Sequence, residues 1–148
     1  IGYNYRMPNI NAALGCAQLE NLDRYVADKR ETAACYAEFF KGKEDITFFY
    51  WPADCKSNYW LNAVVLKDKA AQLDFLEYTN DHGVMTRPVW ELMNRLPMFE
   101  HCETDGLENT EWLADRVVNI PSSVRLDKWK KSQLSLVHVQ SMDCYVGW

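Results

Sequence analysis

A chain of 148 residues, 48% hydrophobic and 25% charged, has the length and balance of one globular domain with its own core. A formal net charge of −5 works against nucleic acid as a partner, because a phosphate backbone attracts clustered Lys and Arg. No apolar run approaches bilayer length, and no basic n-region precedes a greasy h-region, so the sequence points away from the membrane and towards the cytoplasm.

The chain opens on a polar, aromatic loop, Gly2-Tyr3-Asn4-Tyr5-Arg6, which gathers an amide, phenols and a guanidinium suited to an anion. Pro8 fits the start of a helix, where its missing N–H would have no partner. Ile10, Ala13, Leu14, Ala17 and Leu22 recur at helical spacing and predict a helix over 9–22. Ala12, Ala13, Gly15, Cys16 and Ala17 keep that helix thin, so a second backbone can come close. Asp23 marks a kink or a new N-cap, and a second helix over 25–41 lines up Tyr25, Val26, Lys29, Ala33, Tyr36, Ala37 and Phe40. Gly42 is its expected C-cap. Two β-rich runs follow, 46–51 closed by Pro52 and 59–66. Asp68 reads as the N-cap of a third helix that ends near His82-Gly83, and strand character returns over 84–89. A short helical or turn segment covers 91–99, and Asn109 or Thr110 is expected to cap a last helix over 111–118. The order predicts an α+β fold, with N-terminal helices packed on a small, largely antiparallel sheet.

The remaining chemistry-bearing residues read plainly. Cys16, Cys35, Cys55, Cys102 and Cys144 are widely spaced with no CxxC and no His/Cys ligand spacing, so no metal site is expected. They read as reduced thiols, with Cys16 and Cys35 expected to be buried as small hydrophobes. Lys128, Lys130 and Lys131 around Trp129 read as a solvated face. His82 suits a helix C-terminus, and His101 and His138 have no nucleophile or metal ligand beside them in sequence. Phe48, Phe49, Tyr50, Trp51, Tyr59 and Trp60 read as a sheet core and its rim.

Taken together, the opening Gly2 to Met7, Ala12-Ala13, Gln18-Leu19, Leu22-Asp23, Arg30, Ala33-Ala34 and Tyr36 resemble the GxNYRM…AA…QL…LD…R…A…Y pattern of the DegT/DnrJ/EryC1/StrS aminotransferases. Tyr59-Trp60, Gly83-Val84-Met85-Thr86-Arg87 and Ile120-Pro121-Ser122-Ser123 match later steps of that pattern in the same order. The resemblance covers most of 1–126 and implies the C-terminal small domain of a fold-type I aminotransferase, with 127–148 as a divergent tail packed on it or extending from it. Met85-Thr86-Arg87-Pro88-Val89-Trp90 is closest to the branch acting on legionaminic and other nonulosonic-acid precursors.

What the resemblance implies is an enzyme that uses PLP to move an amino group from glutamate to a keto-sugar nucleotide in surface-polysaccharide biosynthesis. Asn4, with Tyr5 and Arg6, would reach the PLP phosphate of a neighbouring subunit in a homodimer. Read without the resemblance, Asn4 is a turn asparagine, Tyr5 packs and Arg6 closes an ion pair. Arg87 and Trp90 would meet the phosphate and a ring of a sugar nucleotide, or else serve as a strand arginine and a core tryptophan. The family's catalytic lysine lies upstream, ahead of a Gly-Glu-Gly-Gly run that this sequence does not contain. The lysines here sit in helices or polar turns, where no pKa-lowering pocket is expected. The expectation is therefore a chain with no catalytic residue of its own, no covalently bound PLP and no activity by itself. The competing expectation is a non-catalytic module, derived from a partial aminotransferase gene, that oligomerises or binds a small ligand.

Overall fold

A computed structural model describes residues 6–125. Helix α1 (Asn9–Leu19) starts directly after Pro8, whose carbonyl accepts from the Ala12 N–H at 3.0 Å. The chain breaks at Glu20-Asn21 and restarts as α2 (Leu22–Phe40), so Asn21 is the N-cap and Asp23 lies inside the first turn. Lys41 caps that helix and Gly42 follows in the left-handed region at φ 75°, a conformation glycine adopts without a Cβ penalty.

Strands β1 (Ile46–Phe48) and β2 (Asn62–Leu66) pair antiparallel, with Phe48 opposite Val64. Asp68 then caps α3 (Lys69–Asp81) by accepting the Ala71 N–H at 2.8 Å, as its side chain predicts. Gly83, at φ 76°, ends it. Strand β3 (Arg87–Pro88), a 3-10 turn at Met93–Arg95, helix α4 (Glu108–Ala114) and strand β4 (Val117–Ile120) complete the described chain. The sheet order is β1-β2-β4-β3, every neighbouring pair antiparallel. This is the α+β architecture that the sequence predicts.

The sheet has two unlike faces because side chains alternate along each strand. Phe48, Val64, Leu66, Val118 and Ile120 are buried and form the core with Ala33 and Phe40 of α2 and Tyr59. Ala71, Phe75 and Leu76 bring α3 onto the same face. Gln72, fully buried, donates to the carbonyls of Ala114 and Val117 at 2.9 and 2.8 Å, which fixes α3 against the start of β4. The other face carries Ala63, Val65, Val117 and Asn119 half-buried and Thr47 exposed.

Several expectations are corrected. Residues 117 and 118 are not the end of a helix: α4 stops at Ala114, the chain turns at Asp115-Arg116, and Val117-Val118 enter the sheet. Two adjacent β-branched residues favour a strand, and Val118 is fully buried there. The runs 46–51, 59–66 and 84–89 hold shorter strands than predicted, because pairing ends where the chain turns out of register. Cys16 and Cys35 are exposed, since α1 buries nothing within this chain and the Cys35 side of α2 faces outward. Among the aromatics, Phe48 and Tyr59 are core, while Phe49, Tyr50 and Trp60 are exposed. Asn4, Tyr5, the basic cluster around Trp129, His138, Cys144 and the tail over 127–148 lie outside the described residues.

Candidate functional site at the outer strand of the sheet

Arg87 owes its position to a hydrogen-bonded clasp between α3 and β3. The Thr79 and Thr86 hydroxyls meet at 2.6 Å in a buried position, and Asn80 Nδ2 donates to Thr86 Oγ1 and O at 3.0 and 3.2 Å. The Val84 N–H closes the turn on the Thr79 carbonyl at 2.8 Å. Thr86 is therefore fixed, and the next residue leaves the clasp in a set direction. Arg87 pairs with Asn119 and Pro88 with Val118, so Arg87 shares the face of Asn119, turned away from α2 and α3.

Its guanidinium donates to Met85 Sδ at 3.3 Å, and among the described residues no carboxylate pairs with it. That contrasts with Arg95, which meets Glu91 and Asp115, and with Arg125, which meets Asp28 and Glu31. An exposed guanidinium on a fixed backbone position, without a counter-charge among the described residues, is suited to an incoming anion. Trp90, three residues on, is 74% exposed and is not a core tryptophan. The two residues that the sequence set apart here thus lie on one exposed stretch. Arg6 is exposed ahead of α1. His82 is exposed at the end of α3, with its Nδ1 2.7 Å from the Tyr78 carbonyl, the helix-terminal role expected of it.

The lysines depart from expectation at one position. Burial lowers the Lys29 pKa below 10.5, against the opposing pull of Asp28. Lys29 Nζ donates to the Ser122 carbonyl and, at 3.5 Å, to that of Trp60, so its ammonium bridges the strand ends. Lys41, Lys67 and Lys69 pair with Glu38, Asp45 and Asp115, Lys43 lies over the Phe39 ring, and Lys56 is exposed. Among the described residues these groups do not fit a PLP pocket: the one partly desolvated lysine is committed to backbone carbonyls. No group of three or more His, Cys, Asp or Glu is placed to hold a metal among the described residues.

Three further features escaped the sequence: the strained turn at Tyr59, the buried Asn62 and the placement of Asn119. Tyr59 sits at φ 49°, a costly conformation for an aromatic residue. Ser57 Oγ and Asn58 Oδ1 accept the N–H groups of Tyr59 and Trp60 at 2.9 and 3.0 Å and hold that turn. Asn62, 1% exposed, has no hydrogen-bond partner for either amide atom among the described residues. Asn119 became visible through the strand register alone. The Ser57-Asn58 pair ahead of an aromatic was the available signal for the turn; Asn62 and Asn119 had none.

The sequence pattern of the DegT/DnrJ/EryC1/StrS aminotransferase family matches residues 1–134. The chain belongs to that family. A GDP-perosamine synthase of Escherichia coli O157:H7 is 31% identical over 129 residues, covering 82% of this chain and 33% of that protein. The putative pyridoxal phosphate-dependent aminotransferase EpsN of Bacillus subtilis (strain 168) is 31% identical over 126 residues, 82% of this chain and 32% of that one. Among solved structures, the sugar aminotransferase CalS13 of Micromonospora echinospora superposes with a TM-score of 0.73 at 25% identity, over 90% of this chain and 34% of that one. Helicobacter pylori PseC, an aminotransferase of pseudaminic acid biosynthesis, shares the fold, with a TM-score of 0.79 at 20% identity over 92% of this chain and 37% of that one. The chain spans about a third of the length of the curated relatives it matches. No helix among the described residues is long and apolar enough to cross a membrane.

Proposed function

We propose that this chain is the C-terminal small domain of a PLP-dependent aminotransferase that aminates a keto-sugar nucleotide, with glutamate as amino donor, in cytoplasmic steps of surface-polysaccharide biosynthesis. The observation that carries the reading is Arg87: an exposed guanidinium on a backbone position set by the Thr79–Thr86–Asn80 clasp, without a carboxylate among the described residues, three residues before the exposed Trp90. Arg87 binds a phosphate of the nucleotide and Trp90 covers a flat ring. The Met85 to Trp90 wording supports a substrate among the precursors of legionaminic and related nonulosonic acids. Asn4, Tyr5 and Arg6 reach the PLP phosphate of a neighbouring subunit, and α1 lies at that subunit boundary. The chain alone is inactive, because no lysine among the described residues lies in a pocket fit to hold the cofactor. A second reading, an oligomerising module without catalysis, is favoured by one observation: α1 exposes Ile10 and Leu14 on one face and Leu19 near its end.

Titration of the ¹⁵N-labelled chain with GDP-mannose tests the first reading. The backbone amides of Arg87 and Trp90 and the Trp90 indole N–H should shift saturably, and Arg87→Gln should abolish the effect. Shifts that survive Arg87→Gln, or no shifts at all, contradict it.

A further inference from the structure

The register of the outer strands brings a second polar group to Arg87. Asn119 lies directly across from it, a cross-strand distance at which neighbouring side chains touch the same ligand. Asn119 is half-buried, and its Nδ2 donates to the Pro88 carbonyl at 3.5 Å. That contact turns the amide so that Oδ1 is left as the acceptor, and Oδ1 accepts from no group among the described residues. On the far side of Asn119 the next residue in the row is Ala63, which offers only a methyl. Beyond it Phe49, whose N–H donates to the Ala63 carbonyl at 2.9 Å, closes the row with an exposed ring. Adjacent strands lie about 4.8 Å apart, so Arg87 and Ala63 are roughly 10 Å apart with Asn119 between them.

A cation, then a neutral acceptor, then a methyl is a sequence of groups that suits a phosphorylated sugar. Phosphate oxygens accept from a guanidinium, and sugar hydroxyls donate to an amide oxygen. A bare anion uses the first group alone. We propose that Asn119 is a further substrate-recognition residue, which accepts a hydrogen bond from a sugar hydroxyl while Arg87 holds the attached phosphate. The assignment rests on the anion-binding reading of Arg87 given above.

Two probes separate the roles. Inorganic phosphate and glucose 1-phosphate are titrated into the ¹⁵N-labelled chain, and the dissociation constants are read from the amide shifts of residues 85–90 and 117–120. The sugar phosphate should bind more tightly than phosphate. Asn119→Val keeps strand propensity and removes the acceptor. It should weaken glucose 1-phosphate binding about threefold to tenfold, the worth of one lost hydrogen bond, and leave inorganic phosphate unchanged. Asn119→Ala, which adds no branched bulk, should behave alike. Arg87→Gln should abolish binding of both. If the Asn119 variants leave the sugar phosphate unaffected, or weaken both probes equally, the Asn119 assignment falls while Arg87 stands. If the unaltered chain binds neither probe, both fall.

Discussion

Buried polar groups with few partners decide where single substitutions act most strongly. Asn62 keeps its amide inside the core without a partner among the described residues, and such a group costs free energy that an apolar side chain of the same shape does not. Asn62→Leu is expected to raise stability by about 1–2 kcal/mol in urea denaturation, within the usual range for an unsatisfied buried polar group. A variant less stable than the parent would show that the amide is satisfied. Tyr59 and Lys29 shape the alkaline limb. Burial, helped by the nearby Tyr50, raises the Tyr59 pKa above 10.0, so the native state favours the neutral phenol. Its contribution is whole below 10.0 and is lost as pH climbs through the raised native value. Lys29 has the opposite sign: its native pKa is lowered, so the burial penalty on its charge is complete below that value and is relieved as pH rises towards 10.5. Denaturation followed across the alkaline range should show a gain that Lys29→Met lacks and a later loss that Tyr59→Phe lacks. Profiles that are identical for all three chains would contradict this. None of these environments shows in the sequence, because burial of an asparagine or a lysine is set by residues far away in the chain.

At the scale of elements, α2 acts as the post to which the end of β4 is tied. Arg125 donates through Nε to Asp28 at 2.8 Å and through Nη2 to Glu31 at 2.8 Å, while its backbone N–H reaches Asp28 at 3.0 Å. Burial opposes the guanidinium charge, but Asp28 and Glu31 outweigh it and raise its pKa above the ordinary arginine value. Tyr36 Oη and Lys29 Nζ hold the carbonyls of Pro121 and Ser122 on the same helix. A double-mutant cycle of Arg125→Ala and Asp28→Ala should give a coupling of roughly 1–3 kcal/mol, since the pair is mostly shielded from water and two guanidinium nitrogens meet one Asp28 oxygen. A coupling near zero would mean that the strand end is held by the core alone. Elements with local signals were legible: Asp68 as a cap, Gly42 and Gly83 as ends, and alternation in Asn62–Leu66. Strand β4 was not, because Val117 follows a helix with neither Gly nor Pro between them and is recognisable as sheet only beside β2. The candidate site was half legible. Arg87 and Trp90 stood out by motif, whereas Asn119 needed the register.

For the whole molecule, one helix stands apart from the core. No residue of α1 is buried, and Ile10 is 75% exposed on the same face as the exposed Leu14. Pairing of two chains through this helix would remove that surface from water. Sedimentation at micromolar concentration should give a dimer, and Ala13→Glu should return it to a monomer. A parent monomer indifferent to the charge would leave the reach of Asn4 towards a neighbouring subunit without a basis. The central claim concerns chemistry: a chain of this family that lends a phosphate-binding face but offers no lysine for the cofactor. Lys29 makes that claim risky, because burial lowers its pKa while its Nζ is engaged with two carbonyls. The decisive measurement is incubation with excess PLP, borohydride reduction and peptide mapping. The account expects weak labelling scattered over exposed lysines such as Lys56. One lysine labelled stoichiometrically, Lys29 above all, would contradict it.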